Sequence, residues 1–251
     1  GVQAIAAMAY GTATVPKVNK IFGPGNQYVT LAKQIVHREG VAIDIPAGPS
    51  EVAVLADETC VPAFVAADLL SQAEHGVDSQ VLLVTTRESL ITQVEEELKI
   101  QLDGLPRKGV AAKALSGSKA VLVKDRETAV ALINEYAPEH LIISCKDAAA
   151  VAEKIINAGS VFLGNYSPES AGDYASGTNH TLPTNGCARV WSGVSLDSFV
   201  KKITYQELTP AGIQNIGKTV QVMAAAEGLE GHKHAVTLRL NHIAKKNDLE
   251  A

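Results

Sequence analysis

VAVLADETCVPAFVAADLLSQAEHGVDSQVLLVT (52–85) is the stretch that decides the fold. It opens and closes with short apolar runs, residues 52–56 and 81–85, which are typical of buried strands. Between them Pro62 begins a segment with apolar side chains at helical spacing that ends near His75 and Gly76. The stretch therefore predicts a strand, a helix and a second strand.

The same alternation continues along the chain. We predict helices at 88–102, 127–136 and 147–158, and strands at 120–123, 141–144 and 160–163. Upstream, a helix through Tyr10, a strand at 18–22, a helix at 27–38 and a strand at 41–45 are expected. Strands interleaved with helices predict a doubly wound parallel sheet with helices on both faces. A short helix at 195–200 and two longer helices from about Thr209 follow, and these two should pack on the α/β body or on a second subunit.

Composition excludes several classes of protein. The 251 residues carry 22 basic and 27 acidic side chains, a net charge of −5, so no basic footprint for a nucleic acid exists. No apolar run approaches the roughly 18 residues that cross a bilayer, and we predict a cytoplasmic protein without a membrane partner. Three widely spaced cysteines predict neither a disulfide framework nor a zinc knuckle.

Two short motifs have both a structural and a functional interpretation. FGPGN (22–26) precedes a helix, the layout that favours a phosphate, but its glycine spacing is not that of a dinucleotide fingerprint and a structural turn explains it equally well. The adjacent Glu139 and His140 suit acid and base chemistry. They lie on the helix-to-strand side, whereas sites in open parallel sheets usually follow strand carboxyl ends.

Candidate metal ligands come from three segments. Gln72 and His75 stand three residues apart at the end of a predicted helix, on one face of it. Asp173 lies in SPESAGDYASGTNHTLPT (167–184), which we predict to be a long polar loop. His232 follows the last hinge, and two His with a carboxylate suit Zn²⁺. A helix-capping His, an ordinary loop and solvated charge are the alternatives.

Longer strings carry a more specific signal. FGPGNQYV (22–29), DIPAGPSE (44–51), DLLSQAEHG (68–76), NEYAPEHL (134–141), GDYASGTNHTLPT (172–184) and EGLEGHKHAV (227–236) together resemble the histidinol dehydrogenase family. The resemblance covers essentially the whole chain in order. It implies an incomplete Rossmann-like fold similar to that of aldehyde dehydrogenases, with an intertwined homodimer built through the C-terminal helices.

The resemblance also implies site residues and chemistry. Gln72, His75, Asp173 and His232 would hold one zinc ion, and Glu139 and His140 would be the catalytic pair. Substrate contacts would come from Ser50, Glu227 and His180 together with His140 and the metal ligands, and NAD contacts from Gln3 and Asn26. The family oxidises L-histidinol to L-histidine with two NAD⁺ through an aldehyde, the last step of histidine biosynthesis.

One departure from the family concerns the start of the chain. The sequence begins at Gly1, whereas family members extend upstream, and the missing part includes half of one domain and a tyrosine at the NAD site. We expect residues 1–50 to be a remnant of the second Rossmann-like domain, 51–194 the zinc and substrate domain, and 195–251 the dimerisation segment. A zinc hydrolase and a non-catalytic, zinc-binding, dimerising fragment remain as alternative interpretations.

Overall fold

A computed structural model describes residues 1–45 and 48–250 of the chain. Pro46 and Ala47, in the predicted connection before the strand at 52–56, lie outside the described residues. Ala251, the end of the expected dimerisation segment, lies outside them as well. The chain divides into two compact units, residues 1–200 and the residues from 201 onward.

The first 45 residues of the first unit have a small core of their own. They form α1 (Val2–Tyr10), β1 (Lys20–Ile21), α2 (Gln27–Arg38) and β2 (Ala42–Ile43), with β1 parallel to β2. Ile5, Ile21 and Val36 are buried together between these elements. A buried ion pair of Lys33 with Asp44 joins α2 to the residue after β2. The predicted elements are therefore present, with shorter strands than expected.

The rest of the first unit is built on a five-stranded parallel sheet. Its strands are β3 (Glu51–Ala56), β4 (Gln80–Thr85), β5 (Lys119–Leu122), β6 (His140–Ser144) and β7 (Ser160–Leu163), in the order β5-β4-β3-β6-β7. The chain runs outward from β3 to β5 and then returns to β6 on the other side. That reversal is the winding that the alternating pattern predicts.

Helices cover both faces of this sheet. One face packs against α3 (Pro62–Ala73), α4 (Glu88–Asp103) and α5 (Lys108–Gly117), and the other against α6 (Arg126–Tyr136) and α7 (Ala148–Ala152). All six residues of β3 are buried, with Val52 and Val54 in one core and Ala53 and Leu55 in the other. A central strand buried on both sides explains the continuous apolar run in the sequence.

Several local predictions were wrong. The sequence at 108–117 forms α5, which its weak apolar pattern did not predict, and α7 ends at Ala152 rather than 158. The stretch 167–184 is not a loop throughout, because α8 (Glu169–Tyr174) occupies its middle. The expected helix near 195–200 is a 3₁₀ turn, Leu196–Phe199.

The second unit contains two long helices, α9 (Pro210–Ala226) and α10 (Glu230–Glu250). Thr209 caps α9 by accepting a hydrogen bond from the Gly212 N–H at 3.0 Å. The helices pack closely at Gly217, where an added Cβ would lie 2.9 Å from Leu240 Cδ1. Among the described residues no helix is long and apolar enough to span a membrane. The three-part domain division at 50/51 and 194/195 stays a prediction.

Candidate active site

A cavity of about 540 Å³ lies where β3 and β6 begin. Seven residues predicted from the sequence line it: Ser50, Gln72, His75, Glu139, His140, Asp173 and His180. Ser50 immediately precedes β3, and Glu139 and His140 lie at the start of β6. The site is therefore at the amino edge of the sheet, opposite to the usual position in open parallel sheets.

Glu139 is a buried carboxyl group, 5% exposed. Its Oε2 accepts a hydrogen bond from the Glu51 N–H at 2.9 Å. Burial raises the pKa of Glu139 to about 8, and the nearby carboxylates of Glu51, Glu169 and Asp173 act in the same direction, against the lowering effect of that hydrogen bond. Glu139 therefore exchanges a proton near neutral pH, as a general acid or base must.

His140 is held in one tautomer. Its Nδ1 lies 3.1 Å from the Glu51 carbonyl oxygen, which can only accept, so Nδ1 carries the hydrogen. Nε2 is buried without a hydrogen-bond partner among the described residues, 3.8 Å from Asp173 Oδ1. Burial lowers the pKa of His140. The neutral ring thus offers a lone pair on Nε2, which is what a general base requires.

Glu169 is a further buried carboxyl group that the sequence reasoning missed. It lies in the first turn of α8 and is 2% exposed, and Ser71 donates to its Oε1 at 3.2 Å. With its amide nitrogen toward Glu169, Gln72 donates to both carboxyl oxygens at 3.2 Å. Burial raises the pKa of Glu169 to about 8. The Gln72 amide oxygen then points away from Glu169 and is the atom that a cation would meet.

His75 and Asp173, the other predicted metal ligands of the first unit, do not lie in the elements that we expected. His75 is not on the face of α3, because the helix ends at Ala73 with Glu74 as its cap. A tight turn, in which the His75 N–H donates to the Gln72 carbonyl at 3.2 Å, brings His75 to the cavity instead. Asp173 lies in α8, four residues after Glu169, and is half-buried.

No group of three or more His, Cys, Asp or Glu side chains able to hold a metal is found within residues 1–45 and 48–250. From the first unit the predicted ligand set contains only two such side chains, His75 and Asp173, with the amide of Gln72. His232 and Glu227 belong to the second unit, His232 in α10 and Glu227 as the cap that ends α9. The ligand set as a whole therefore stays a prediction.

The amino end of α2 borders the cavity through Pro24 and Gly25. Asn26 caps this helix, accepting from the Tyr28 and Val29 N–H groups at 3.1 and 3.2 Å. Those two N–H groups are therefore already satisfied, which favours the structural interpretation of the glycine turn over a phosphate cradle. Gln3 and Asn26 are both exposed, Gln3 in α1, and their NAD contacts stay predictions.

Glu51 and Glu169 carried no sequence signal that we used. Glu51 opens a continuous buried strand, and nothing in EVAVLA marks its carboxyl group as part of a site. Glu169 had a detectable signal, since Pro168 followed by an acidic first turn is typical of a helix start. Read as a helix, that segment places Glu169 and Asp173 on one face.

The parallel sheet with helices on both faces is an α/β architecture of the aldehyde-dehydrogenase-like kind. A propionaldehyde dehydrogenase from Clostridium phytofermentans matches 80% of this chain and 58% of its own with a TM-score of 0.50 and 14% sequence identity, a likeness of fold alone.

The sequence profile described as histidinol dehydrogenase matches residues 1–240, and the chain belongs to the histidinol dehydrogenase family. It is 67% identical over 245 residues to the histidinol dehydrogenase of Bacteroides fragilis, covering 98% of this chain and 57% of that protein. The crystal structure of histidinol dehydrogenase from Elizabethkingia anophelis is 60% identical, with a TM-score of 0.95 over 97% of this chain and 56% of that one. The chain thus spans little more than half the length of these relatives.

Proposed function

We propose that this chain supplies the catalytic cavity of a histidinol dehydrogenase, which oxidises L-histidinol to L-histidine with two NAD⁺ at the end of histidine biosynthesis. Family membership supports this reaction. The observation that links this reaction to particular residues is that Glu139 and His140 line one cavity. The pKa of Glu139 is raised to about 8, and Nε2 of His140 has no hydrogen-bond partner among the described residues.

His140 is the base of the first oxidation in this proposal. Its Nε2 takes the proton of the substrate hydroxyl, while Nδ1–H stays bonded to the Glu51 carbonyl and keeps the ring in place. Because burial lowers the pKa of His140, the ring is neutral and ready to accept that proton. Asp173, 3.8 Å from Nε2, stabilises the imidazolium that results.

Glu139 is the base of the second oxidation. It removes a proton from the water that adds to the aldehyde, giving the hydrate from which the acid is formed. A carboxylate with a pKa of about 8 is a far stronger base than an ordinary one, and its Oε2 is held by the Glu51 N–H at 2.9 Å. The two bases thus divide the reaction between them.

The chemistry of three side chains in the cavity supports the zinc ion that the family resemblance implies. Gln72, His75 and Asp173 line one cavity and would be ligands, and the resemblance adds His232 as a fourth. Bound zinc would orient the substrate through its imidazole and amine, a positioning role. Ser50 and His180 are far apart in the sequence but line the same cavity, and both would contact the substrate. The family resemblance assigns a substrate contact to Glu227 as well.

NAD would accept the two hydrides. Pro24 and Gly25, next to Asn26, line the cavity, so Asn26 lies close to the groups that would react. We assign contacts to Gln3 and Asn26, both exposed and free to meet a ligand on their solvent side. Because Asn26 already binds two helix N–H groups, its contact with the cofactor would come from the amide nitrogen.

We infer a homodimer, intertwined through the second unit, in a cytoplasmic protein. Large apolar side chains are exposed on this unit, among them Ile216, Val222, Met223 and Leu238. Apolar surface of this kind is typical of an interface. Size-exclusion chromatography with light scattering measures the assembly directly, and a monomer at all concentrations would contradict it.

The test of the function supplies L-histidinol, NAD⁺ and zinc and follows NADH at a fixed amount of substrate. Two NADH per histidinol are expected, and chelation should abolish them. His140→Asn should lower kcat with the zinc content unchanged, whereas Asp173→Asn should lose zinc and activity together. Turnover by His140→Asn equal to that of the wild type would refute its role as base.

A second candidate, a zinc-binding and dimerising fragment without turnover, is favoured by one observation. The chain covers 57% of its Bacteroides fragilis relative, so it corresponds to only part of that enzyme. This candidate predicts bound zinc and a dimer without NADH formation. The zinc hydrolase interpretation has no such support, because the chain belongs to a family of dehydrogenases.

A further inference from the structure

We propose that Glu51 is a positioning residue that ties the cavity wall formed by residues 181–187 to the Glu139–His140 pair. The proposal rests on the function proposed above, since it assigns a role within that active site. Glu51 is the first residue of β3 and is 3% exposed. It does not line the cavity itself. Its influence on the reaction would therefore pass through the groups that it holds.

The main chain of Glu51 orients both members of the pair. Its N–H donates to Glu139 Oε2 at 2.9 Å, and its carbonyl accepts from His140 Nδ1 at 3.1 Å. In the sheet the next residue, Val52, stands opposite His140. One peptide segment at the start of β3 therefore sets the direction of the carboxyl group and the tautomer of the imidazole.

The side chain of Glu51 holds the cavity wall. Its Oε1 accepts a hydrogen bond from the Asn185 N–H at 2.8 Å, across 134 positions of sequence. Asn185 has a left-handed φ of 54°, a turn conformation that Asn adopts more readily than most non-glycine residues. Directly before it, Thr184 is 2% exposed and lines the cavity, as do Thr181 and Leu182.

The Asn185 bond, which is half-buried, joins this segment directly to the side chain of Glu51 in β3, and the segment is also held by the buried side chains of Leu182 and Thr184. Thr184 also accepts a hydrogen bond from the Gly48 N–H on the other side of the cavity mouth. Farther along, Arg189 pairs with the exposed Glu135 at 2.9 Å, on the surface and away from the catalytic pair. A hydrogen bond to a carboxylate is worth more than an exposed ion pair, on the order of 1.5–3 kcal/mol against 0–1.

Because Glu51 binds both sides, it fixes the distance between the cavity wall and the Glu139–His140 pair. When Glu51 Oε1 is removed, the pair keeps its main-chain bonds, but the wall loses its link to them. Substrate binding should then weaken more than the chemical step. Three substitutions of Glu51 test which property of the side chain matters. Glu51→Ala removes the carboxylate, and Glu51→Gln keeps an acceptor oxygen on a side chain of the same length. Glu51→Asp keeps the carboxylate on a side chain that is shorter by one methylene group.

Hydrogen exchange of the single Asn185 amide, measured by NMR, is the direct test. Its protection should fall by about tenfold to a hundredfold in Glu51→Ala, the range that a hydrogen bond to a carboxylate allows. Glu51→Gln should stay within about threefold of the wild type, and Glu51→Asp should resemble Glu51→Ala. Unchanged protection in Glu51→Ala would overturn the proposal. If that variant does not fold, the Gln and Asp variants give the same contrast.

Steady-state kinetics provide the functional arm. KM for L-histidinol should rise by about tenfold or more in Glu51→Ala with a smaller fall in kcat, and Glu51→Gln should restore both. Glu135→Ala removes the side-chain partner of Arg189 at the surface and leaves its hydrogen bond to the Glu135 carbonyl, so it is the matched control and should change neither KM nor Asn185 exchange. Equal kinetic loss in the Gln and Ala variants would also overturn the proposal. If the wild type shows no turnover, the proposed function fails, while the exchange result still decides the role of Glu51.

Discussion

Replacing Glu139 by Gln should flatten the dependence of stability on pH. In the folded protein the pKa of Glu139 is raised from its ordinary 4.5 to about 8 by burial. Between these values the native state holds a proton that the unfolded chain has released. The resulting stabilisation is complete below pH 4.5 and is lost as pH rises through about 8.

The magnitude follows from the two pKa values. Each pH unit in this window changes the free energy of unfolding by up to about 1.4 kcal/mol for one such group, so Glu139 accounts for a loss on the order of 5 kcal/mol. Glu169, with a pKa raised in the same way, adds a similar slope. Glu139→Gln keeps an oxygen for the Glu51 N–H and removes the titration. Its decline between pH 5 and 8 should therefore be shallower than that of the wild type by about one third, because Glu169 and also Asp68, whose pKa burial raises to about 7, still titrate in this window.

Urea unfolding at several pH values measures this dependence. The chain contains one tryptophan, Trp191 in the first unit, so its fluorescence reports the unit that contains the cavity. Glu135→Gln is the control, because it makes the same chemical change at an exposed position near the end of α6. A Glu139→Gln protein whose unfolding free energy falls with pH as steeply as that of the wild type would show that the reasoning is wrong.

Three other outcomes are expected. Lys33→Met leaves the buried Asp44 carboxylate unpaired and should lower the free energy of unfolding by about 3–5 kcal/mol in urea titrations. Gly159→Ala places a Cβ 2.5 Å from the Glu139 carbonyl oxygen, so it should cost about 1–3 kcal/mol and, under the proposed mechanism, reduce kcat by displacing the Glu139 carboxyl. The proposed role of Glu139 as the base that activates water predicts that kcat of the wild type rises with pH through about 8, as Glu139 loses its proton.

Matched substitutions control the first two of these outcomes. Lys113→Met removes an exposed lysine from α5 and should leave stability within about 0.5 kcal/mol of the wild type. Gly109→Ala, also in α5, meets no atom within 4 Å and should be neutral or stabilising by up to about 1 kcal/mol. If both substitutions lowered the free energy of unfolding equally, the contact of the new Cβ with the Glu139 carbonyl could not be the cause. A kcat that is flat between pH 6 and 9 would contradict the assigned role of Glu139.

The fold was predictable because its signals are local. Buried strands such as β3 and β4 appear as apolar runs, and α3 is introduced by Pro62, so the alternation and the parallel sheet could be inferred from the order of segments. The missed helix α5 has only Ala111 and Ala114 buried, too little apolar periodicity to distinguish it from a connection. The family resemblance was carried by whole strings and is confirmed by the comparisons.

The site was predictable only in part, since its geometry is long-range. The tautomer of His140 depends on the register between β3 and β6, which no local pattern specifies. The buried state of Glu169 depends on the docking of α8 beside the end of α3, through Ser71 and Gln72. A pKa raised by burial cannot be read from residue identity, because the same residue type is exposed elsewhere in the chain.

The pairing of β3 with β6 also has a consequence for the order in which this protein folds. The bonds from Glu51 to Glu139 and to His140 join residues 88 and 89 positions apart, with β4 and β5 placed in between. Contacts at such separation form late, because the chain between them must first lose its freedom. During synthesis Glu139 and His140 therefore reach the orientation that Glu51 sets only after β6 has left the ribosome and paired with β3.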